Sequence, residues 1–188
     1  MIHTKQDLYY YLSEDLKASG NDKPKLKDWI LHNEKYFRYS LLKELRYVEF
    51  YKNSQQGVLG YLIYCWHMLR YKRFCWKCKC IVNPNTCGPG LYIAHLGSFT
   101  YIRKGSKIGR NFTIICGCVL GKQKDDNLER IEIGDNCFAG INVTILGNVK
   151  IGNNVTIGAH ALVVKDVPDN CIIGGCPARI IRMIDYDK

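Results

Sequence analysis

The stretch IEIGDNCFAGINVTILGNVKIGNNVTIGAHALVV, residues 131–164, repeats with a period of six residues. Aliphatic or small residues recur at every sixth position, and glycine often follows them directly. These positions are Ile133, Ala139, Ile145, Ile151, Ile157 and Val163. A period of six fits neither a 3.6-residue helix nor a simple alternating hairpin, but it is typical of a solenoid whose short strands each turn a corner. The stretch therefore predicts a parallel β-helix.

The same spacing extends toward the N-terminus, where the matching positions are Leu96, Ile102, Ile108, Ile114 and Leu120. Between the two blocks lies KQKDDNLER, residues 122–130, which is too polar for the interior of a coil. We expect this segment to leave the coil as a loop. Pro168 and Pro177 mark the end of the repeats, because proline cannot donate a ladder hydrogen bond.

The front of the chain has helical periodicity instead. Thr4 and Asp7 have the spacing of a capping box, and a first helix of roughly 15 residues should end near Gly20. Two longer amphipathic stretches follow, which brings the expected number of helices to three or four. We therefore predict a helical N-terminal domain over residues 1–82 and a β-helix domain, with its C-terminal tail, over residues 83–188.

The formal net charge of +10 favours an anionic partner, such as a membrane surface, a nucleic acid or a small phosphorylated substrate. No recognition motif supports nucleic acid. The segment RYKRFCWKCK, residues 70–79, combines positive charges with aromatics, so peripheral contact with an anionic membrane stays open beside a simple solvated helix face. The N-terminus lacks the features of a secretory signal and no apolar run is long enough to span a bilayer, so the sequence predicts a cytoplasmic protein.

Ten cysteines do not make a disulfide framework in a reducing compartment. Six of them stand singly in apolar or glycine-rich contexts, and we expect these six to be small buried hydrophobes. They are Cys65, Cys87, Cys116, Cys118, Cys137 and Cys171. Cys75, Cys78, Cys80 and Cys87 include one CxxC pair. Zinc sites usually need two such pairs or added histidines, so local packing is the favoured interpretation and no metal is expected.

Four strings carry a family resemblance: NPNTCGPGLYIAHLG (83–97), KIGRNFTIICGCVLG (107–121), the repeats of 131–170 and GGCPARII (174–181). They resemble the hexapeptide acyltransferase superfamily, and within it the serine acetyltransferase branch with its relatives from capsule and exopolysaccharide biosynthesis. The resemblance implies a left-handed β-helix preceded by a helical cap, acetyl-CoA as the acyl donor, direct transfer without a metal, and a homotrimer.

The resemblance also assigns roles to individual residues. It makes His95 the general base that deprotonates the acceptor hydroxyl, a task suited to imidazole, whose ordinary pKa is about 6.5. Small residues of the late coils would line the groove for coenzyme A, and cations would meet its phosphates. The groove residues are Ala139, Gly140, Gly158 and Ala159, and the cations are Lys165, Arg179 and Arg182. Gly140 is also the candidate backbone donor to the oxyanion.

Three positions depart from the serine acetyltransferase pattern. Ala94 stands where that branch has an acid before the histidine, Ile81 where an upstream acid orients the histidine, and Leu128 near a further expected histidine. A backbone carbonyl, Asn83, Asp126 or Glu129 is left as the group that orients His95. Because Ala94 deprives a serine ammonium of a counter-charge, the expected acceptor is a sugar hydroxyl in polysaccharide biosynthesis, with serine as the alternative.

Other functions fit less well. A γ-type carbonic anhydrase needs three histidines at its metal, and only His95 and His160 lie in the repeats. N-acylation of a nucleotide-linked amino sugar usually accompanies a nucleotide-binding front domain, whereas this front is helical. A non-catalytic β-helix scaffold stays open, because missing acids are also what lost catalysis would leave.

Overall fold

The computed structural model describes residues 1–54, 57–122 and 130–185, and these residues contain four helices. The helices are α1 (Lys5–Ala18), α2 (Leu26–Ile30), α3 (Glu34–Asn53) and α4 (Gly57–Cys78). The predicted capping box is confirmed. The hydroxyl of Thr4 accepts from the Asp7 N–H at 3.1 Å, and the Asp7 carboxylate accepts from the Thr4 N–H at 2.9 Å. None of the described helices is long and apolar enough to cross a membrane.

Short strands follow the helices. They are β1 (Cys80–Val82), β2 (Tyr92–Ile93), β3 (Thr100–Ile102), β4 (Lys107–Ile108), β5 (Thr113–Ile114), β6 (Val119–Gly121), β7 (Ile131–Ile133), β8 (Phe138–Ala139), β9 (Thr144–Leu146), β10 (Val149–Ile151), β11 (Thr156–Ile157), β12 (Leu162–Val163), β13 (Cys171–Gly174) and β14 (Arg179–Met183). Strand β1 thus begins before residue 83, where the β-helix domain is predicted to start. The segment predicted to leave the coil as a loop lies mostly in 123–129, outside the described residues.

Successive strands belong to three different sheets, so the chain winds around a common axis. The first sheet has the order β1-β3-β6-β9-β12, the second β10-β7-β4, and the third β14-β13-β11-β8-β5-β2. Every pair is parallel except β13 with β14. A parallel sheet built by stepping from one sheet to the next is a β-helix, and the prediction of this architecture behind a helical front is confirmed.

The six-residue ladder forms the interior of the coil. All ten of its positions from Ile102 to Val163 are buried, with exposures of 0–6%. Leu96 is the exception, because the register places Ile93, not Leu96, beneath Ile114. The step from Ile93 to Ile102 is therefore nine positions, three more than the usual six. The prediction that Leu96 is a ladder residue is therefore wrong, and the first coil is widened at this point.

The coil continues beyond Pro168, since β13 still pairs in parallel with β11. The chain then reverses, and β14 pairs antiparallel with β13. Asparagines with positive φ stack at one corner, and their side-chain amides bond from coil to coil at 2.9, 3.1 and 2.7 Å. These residues are Asn111, Asn136, Asn154 and Asn170.

A buried arginine joins the helices to the first coil. Arg46 of α3 is fully buried and bonds to Asp15 of α1 at 2.8 and 3.2 Å and to Glu49 at 2.9 Å. The same guanidinium donates to the carbonyls of Cys87 and Gly88 at 3.0 and 2.8 Å. Buried charges are tolerated when paired and fully hydrogen-bonded. This buried network consequently fixes the helical front to the first coil of the β-helix.

Candidate functional site

His95 lies on the widened corner of the first coil, two residues after β2. The backbone of this corner keeps its place in the ladder, since the N–H groups of Ala94 and His95 donate to the carbonyls of Ile114 and Ile115 at 2.8 and 2.9 Å. The imidazole itself points outward, and its side chain is 67% exposed. The widened corner thus exposes the His95 side chain to solvent, while ladder hydrogen bonds hold its backbone in place.

The carboxylate nearest His95 comes from the helical front. Glu34, the first residue of α3, accepts the Leu96 N–H at 2.6 Å, and the same oxygen lies 3.7 Å from His95 Nδ1. That distance is too long for a hydrogen bond, but it places a negative charge next to the ring. A carboxylate on the Nδ1 side favours a proton on Nδ1 and leaves Nε2 as the basic nitrogen.

Arg38, one helical turn after Glu34, holds the other side of the corner. Its guanidinium donates to the Ala94 carbonyl at 2.7 Å and lies 5.1 Å from the centre of the Tyr92 ring. Residues four apart on a helix face the same way, so α3 clamps the strand end on both sides of His95. The sequence offered no signal for this pairing, because more than 50 residues separate the partners.

The predicted orienting residues fall elsewhere. The Asn83 side-chain amide donates to the Ile102 carbonyl at 2.9 Å, a contact within the coil. Asp126 and Glu129 lie outside the described residues. A role for these three in orienting His95 stays a prediction, and Glu34 is the carboxylate that the sequence missed.

Two of the predicted groove residues are inside the protein. Ala139 is 0% exposed, because its methyl group occupies the interior ladder between Ile114 and Ile157. Gly140 is also buried, and its N–H donates to the Ile157 carbonyl at 2.9 Å. We correct both assignments: Ala139 does not line a surface groove in this chain, and the Gly140 N–H is already paired and unavailable to an oxyanion.

Gly140 has a packing role instead. A Cβ built on it would lie 2.8 Å from the Ala159 backbone nitrogen in the next coil, so only glycine fits. Gly158 is half-buried and Ala159 is exposed. The strand register stacks Ile115, Gly140 and Gly158 in that order above Ala94, on the corner that carries His95. The structure therefore brings Gly158 and Ala159 to the same edge of the third sheet as the histidine.

The predicted phosphate-binding cations divide between two places. Arg179 and Arg182 are exposed on β14, opposite Gly174 and Ile172, at the far end of the third sheet. Lys165 is exposed after β12, which belongs to the first sheet, so it lies at a different corner. Within one chain only the two arginines share a sheet with the strand that precedes His95.

The cysteines near the helix–coil junction are buried and weakly acidic. Burial raises the pKa of Cys75 to about 11 and those of Cys78, Cys87 and Cys118 to about 12. Neutral thiols are poor nucleophiles and poor metal ligands. Among the described residues, no group of three or more His, Cys, Asp or Glu side chains is placed to hold a metal ion.

Comparison with known proteins identifies the repeats. The family described as bacterial transferase hexapeptide (six repeats) matches residues 130–165. Serine acetyltransferase 4 of Arabidopsis thaliana is 37% identical over 99 residues, which is 52% of this chain and 28% of that protein. The serine acetyltransferase of Staphylococcus aureus strain Mu50 is 36% identical over 96 residues, 50% of this chain and 45% of that protein. The chain thus spans less than half the length of these curated relatives.

The likeness in structure extends over nearly the whole chain. A crystal structure of serine acetyltransferase from Brucella abortus strain S19, in complex with coenzyme A, superposes with a TM-score of 0.74. The match covers 96% of this chain and 70% of that one, at 21% sequence identity. At this identity the likeness shows a shared fold, which includes the helical front as well as the coil.

Proposed function

We propose that this chain, which belongs to the hexapeptide-repeat acyltransferase superfamily, transfers an acetyl group from acetyl-CoA to the hydroxyl of serine. The observation that carries the proposal is an exposed His95 beside a carboxylate, on a corner where a later coil places Gly158 and Ala159. Such an arrangement suits a general base with an open approach for two substrates. The relatives reported above are named serine acetyltransferases, which supports the same class of reaction.

The proposal changes the expected acceptor. A sugar hydroxyl was favoured because Ala94 leaves a serine ammonium without a counter-charge. Glu34 offers a carboxylate next to His95 from a different part of the chain, and this carboxylate is 45% exposed. Glu34 therefore supplies the counter-charge that Ala94 does not. The names of the relatives also favour serine over a polysaccharide precursor.

In the proposed reaction, His95 Nε2 accepts the proton of the serine hydroxyl while the oxygen attacks the thioester carbonyl. The Glu34 carboxylate stabilises the imidazolium that forms. Collapse of the tetrahedral intermediate breaks the carbon–sulfur bond, and the imidazolium returns its proton to the leaving sulfur. The products are O-acetylserine and free coenzyme A, and His95 regains its neutral form.

For the donor, the proposal retains Gly158, Ala159, Arg179 and Arg182. Gly158 and Ala159 add no bulky side chain at this edge of the third sheet, which suits the thin pantetheine arm. Guanidinium groups bind phosphates by paired hydrogen bonds, so Arg179 and Arg182 suit the nucleotide end. Lys165 lies at another corner and enters the proposal only as a contribution from a neighbouring copy.

The proposed assembly is a homotrimer of left-handed coils, the hand and symmetry typical of hexapeptide-repeat enzymes. Its donor grooves would lie between the β-helices of neighbouring subunits. Lys165, which lies at a different corner from the arginines, could then reach the groove from a neighbouring subunit. Analytical ultracentrifugation tests the trimer directly. A cytoplasmic location stays a prediction.

Release of free coenzyme A from acetyl-CoA tests the proposed reaction, with L-serine in one series and a panel of sugars and nucleotide sugars in another. The variants are His95→Ala and, as a matched control, His160→Asn. His160 has φ +57° at a corner where the equivalent residue of the preceding coil is Asn142, so asparagine preserves the turn. We expect turnover with serine that His95→Ala lowers by at least about 10²-fold, while His160→Asn has little effect.

Turnover confined to sugars would replace serine by the polysaccharide interpretation. Activity that survives His95→Ala would remove His95 from the reaction. A wild-type protein inert with every acceptor, although folded and trimeric, would favour a non-catalytic scaffold.

A further inference from the structure

Helix α4 has an apolar face that is largely exposed in the described structure. Val58, Leu62, Leu69 and Trp76 are 80%, 60%, 66% and 86% exposed. Their spacings of four, seven and seven residues place them along one side of the helix. Leu59 and Trp66 widen this stripe and are also more than half exposed. We call these six residues the outer face of α4.

The second half of the same helix is strongly basic. Lys72, Arg73 and Lys77 are exposed around Trp76, and α4 contains no aspartate or glutamate between Gly57 and Cys78. A face that is apolar in its first half and both aromatic and cationic in its second half is typical of helices that lie on membranes.

A cavity of about 640 Å³ opens beside Trp76, between α4 and the first sheet. Its apolar walls include Met68, Ile81 and Phe99, and Phe99 is 57% exposed. Four lysines stand around it, and no acidic residue of the described chain lines it. The lysines are Lys52, Lys72, Lys79 and Lys104. The cavity thus resembles the outer face, because it too combines apolar side chains with surrounding cations.

We infer that the outer face of α4 and this adjoining cavity dock on the surface of a bilayer that contains anionic phospholipids. The helix would lie parallel to the membrane, with Trp76 and Leu69 at the level of the acyl-chain boundary. The lysines and Arg73 would face the phosphate headgroups, where each cation adds to binding. Tryptophan is enriched at this interface between the headgroups and the acyl chains.

Charge argues for a membrane rather than a second copy of the chain. Two copies of α4 packed side by side in parallel would bring like charges together at Lys72, Arg73 and Lys77. The helix has no acidic residue with which to pair them across such an interface, as helix–helix seams usually do. An anionic surface neutralises all of these cations at once. The proposal does not rest on the acetyl-transfer reaction.

Co-sedimentation with vesicles tests the inference on the full chain. Vesicles of phosphatidylcholine alone are compared with vesicles containing one quarter phosphatidylglycerol, at low and high salt. The variants are Trp76→Ser and Lys72→Glu/Lys104→Glu. The matched control is Lys23→Glu/Lys150→Glu, which reverses two exposed lysines on the loop before α2 and on β10.

We expect binding to the anionic vesicles only, a blue shift of tryptophan fluorescence, and weakening by salt. The Lys72→Glu/Lys104→Glu variant should lower the partition coefficient at least about tenfold, Trp76→Ser by about threefold or more, and the control by much less. Equal binding to neutral and anionic vesicles, or unchanged binding by the charge reversals, would overturn the inference. So would a concentration-dependent assembly that Trp76→Ser dissolves while no vesicle binding occurs, because the face would then join copies of the chain.

Discussion

The Glu34 carboxylate accepts a 2.6 Å hydrogen bond from the backbone N–H of Leu96, the residue directly after His95. A helix that begins 61 positions earlier in the chain therefore fixes the position of a negative charge at the proposed base. The bond also constrains the widened corner, because it holds the extra residues against α3.

Replacing Glu34 by glutamine separates charge from geometry. The amide oxygen can still accept the Leu96 N–H, but the counter-charge for a serine ammonium is gone. We expect the KM for L-serine to rise by about tenfold or more, with an unchanged melting temperature. An acceptor without the amine, 3-hydroxypropionate, supplies the control in steady-state assays. Loss of the Glu34 charge beside His95 should lower kcat with both acceptors, whereas an equal rise in KM with both would contradict a contact between Glu34 and the ammonium.

The Arg46 network predicts a large loss of stability on Arg46→Met. The change removes the positive charge between Asp15 and Glu49 and leaves both carboxylates buried without it. The cost of breaking a buried pair in this way is about 3–5 kcal/mol, measured as the free energy of unfolding in urea. Arg110→Met removes an exposed pair with Asp135 and should change stability little. Similar values for both variants would contradict a structural role for the buried arginine.

Close approach of the coils predicts the effect of adding one methyl group. A Cβ on Gly109 would lie 2.7 Å from the Gly134 carbonyl carbon, which cannot move without shifting the strand. We expect Gly109→Ala to destabilise the protein by about 1–3 kcal/mol. Gly121→Ala is the control, since among the described residues its Cβ would meet the flexible end of Leu146 at 3.1 Å. Thermal unfolding followed by circular dichroism compares the two, and an equally stable Gly109→Ala would contradict the observed stacking.

The raised thiol pKa values predict which cysteines react. At pH 8 a thiol with a pKa of about 11 or 12 holds almost no thiolate, and burial also blocks the reagent. Cys176 is exposed and Cys65 half-buried, whereas the other eight cysteines are buried. Iodoacetamide at pH 8 should therefore label Cys176 first, then Cys65, and the rest only after unfolding. Mass spectrometry of peptides reads this order, and early labelling of Cys87 or Cys118 would refute it.

Much of the fold was predictable because its periodicity is local. Buried ladder residues such as Ile145 and Ile157 repeat every six positions, and each repeat carries the same information about the next. The register failed only at Leu96, where three extra residues break the period. No local pattern distinguishes an apolar residue on a bulge from one on the ladder, and only pairing with Ile114 identified Ile93 as the interior residue.

The site was less predictable, because it joins distant segments. His95 stands within a distinctive string, but Glu34 and Arg38 lie in a helix whose docking on the coil leaves no mark in the sequence. Ala139 and Gly140 were misassigned for a related reason. A small residue on a β-helix is required either by a ligand or by the next coil, and only the burial of these two residues distinguishes the cases.

Successive coils stack at a fixed spacing. Each coil between the widened corner at His95 and the arginines of β14 adds one strand spacing, about 4.8 Å. Insertion of one coil between Gly140 and Gly158 would leave His95 and helix α3 unchanged. The same insertion would move Arg179 and Arg182 one strand spacing farther from His95. The number of coils in such a protein would then set the length of the acyl donor that fits between the proposed base and the two arginines.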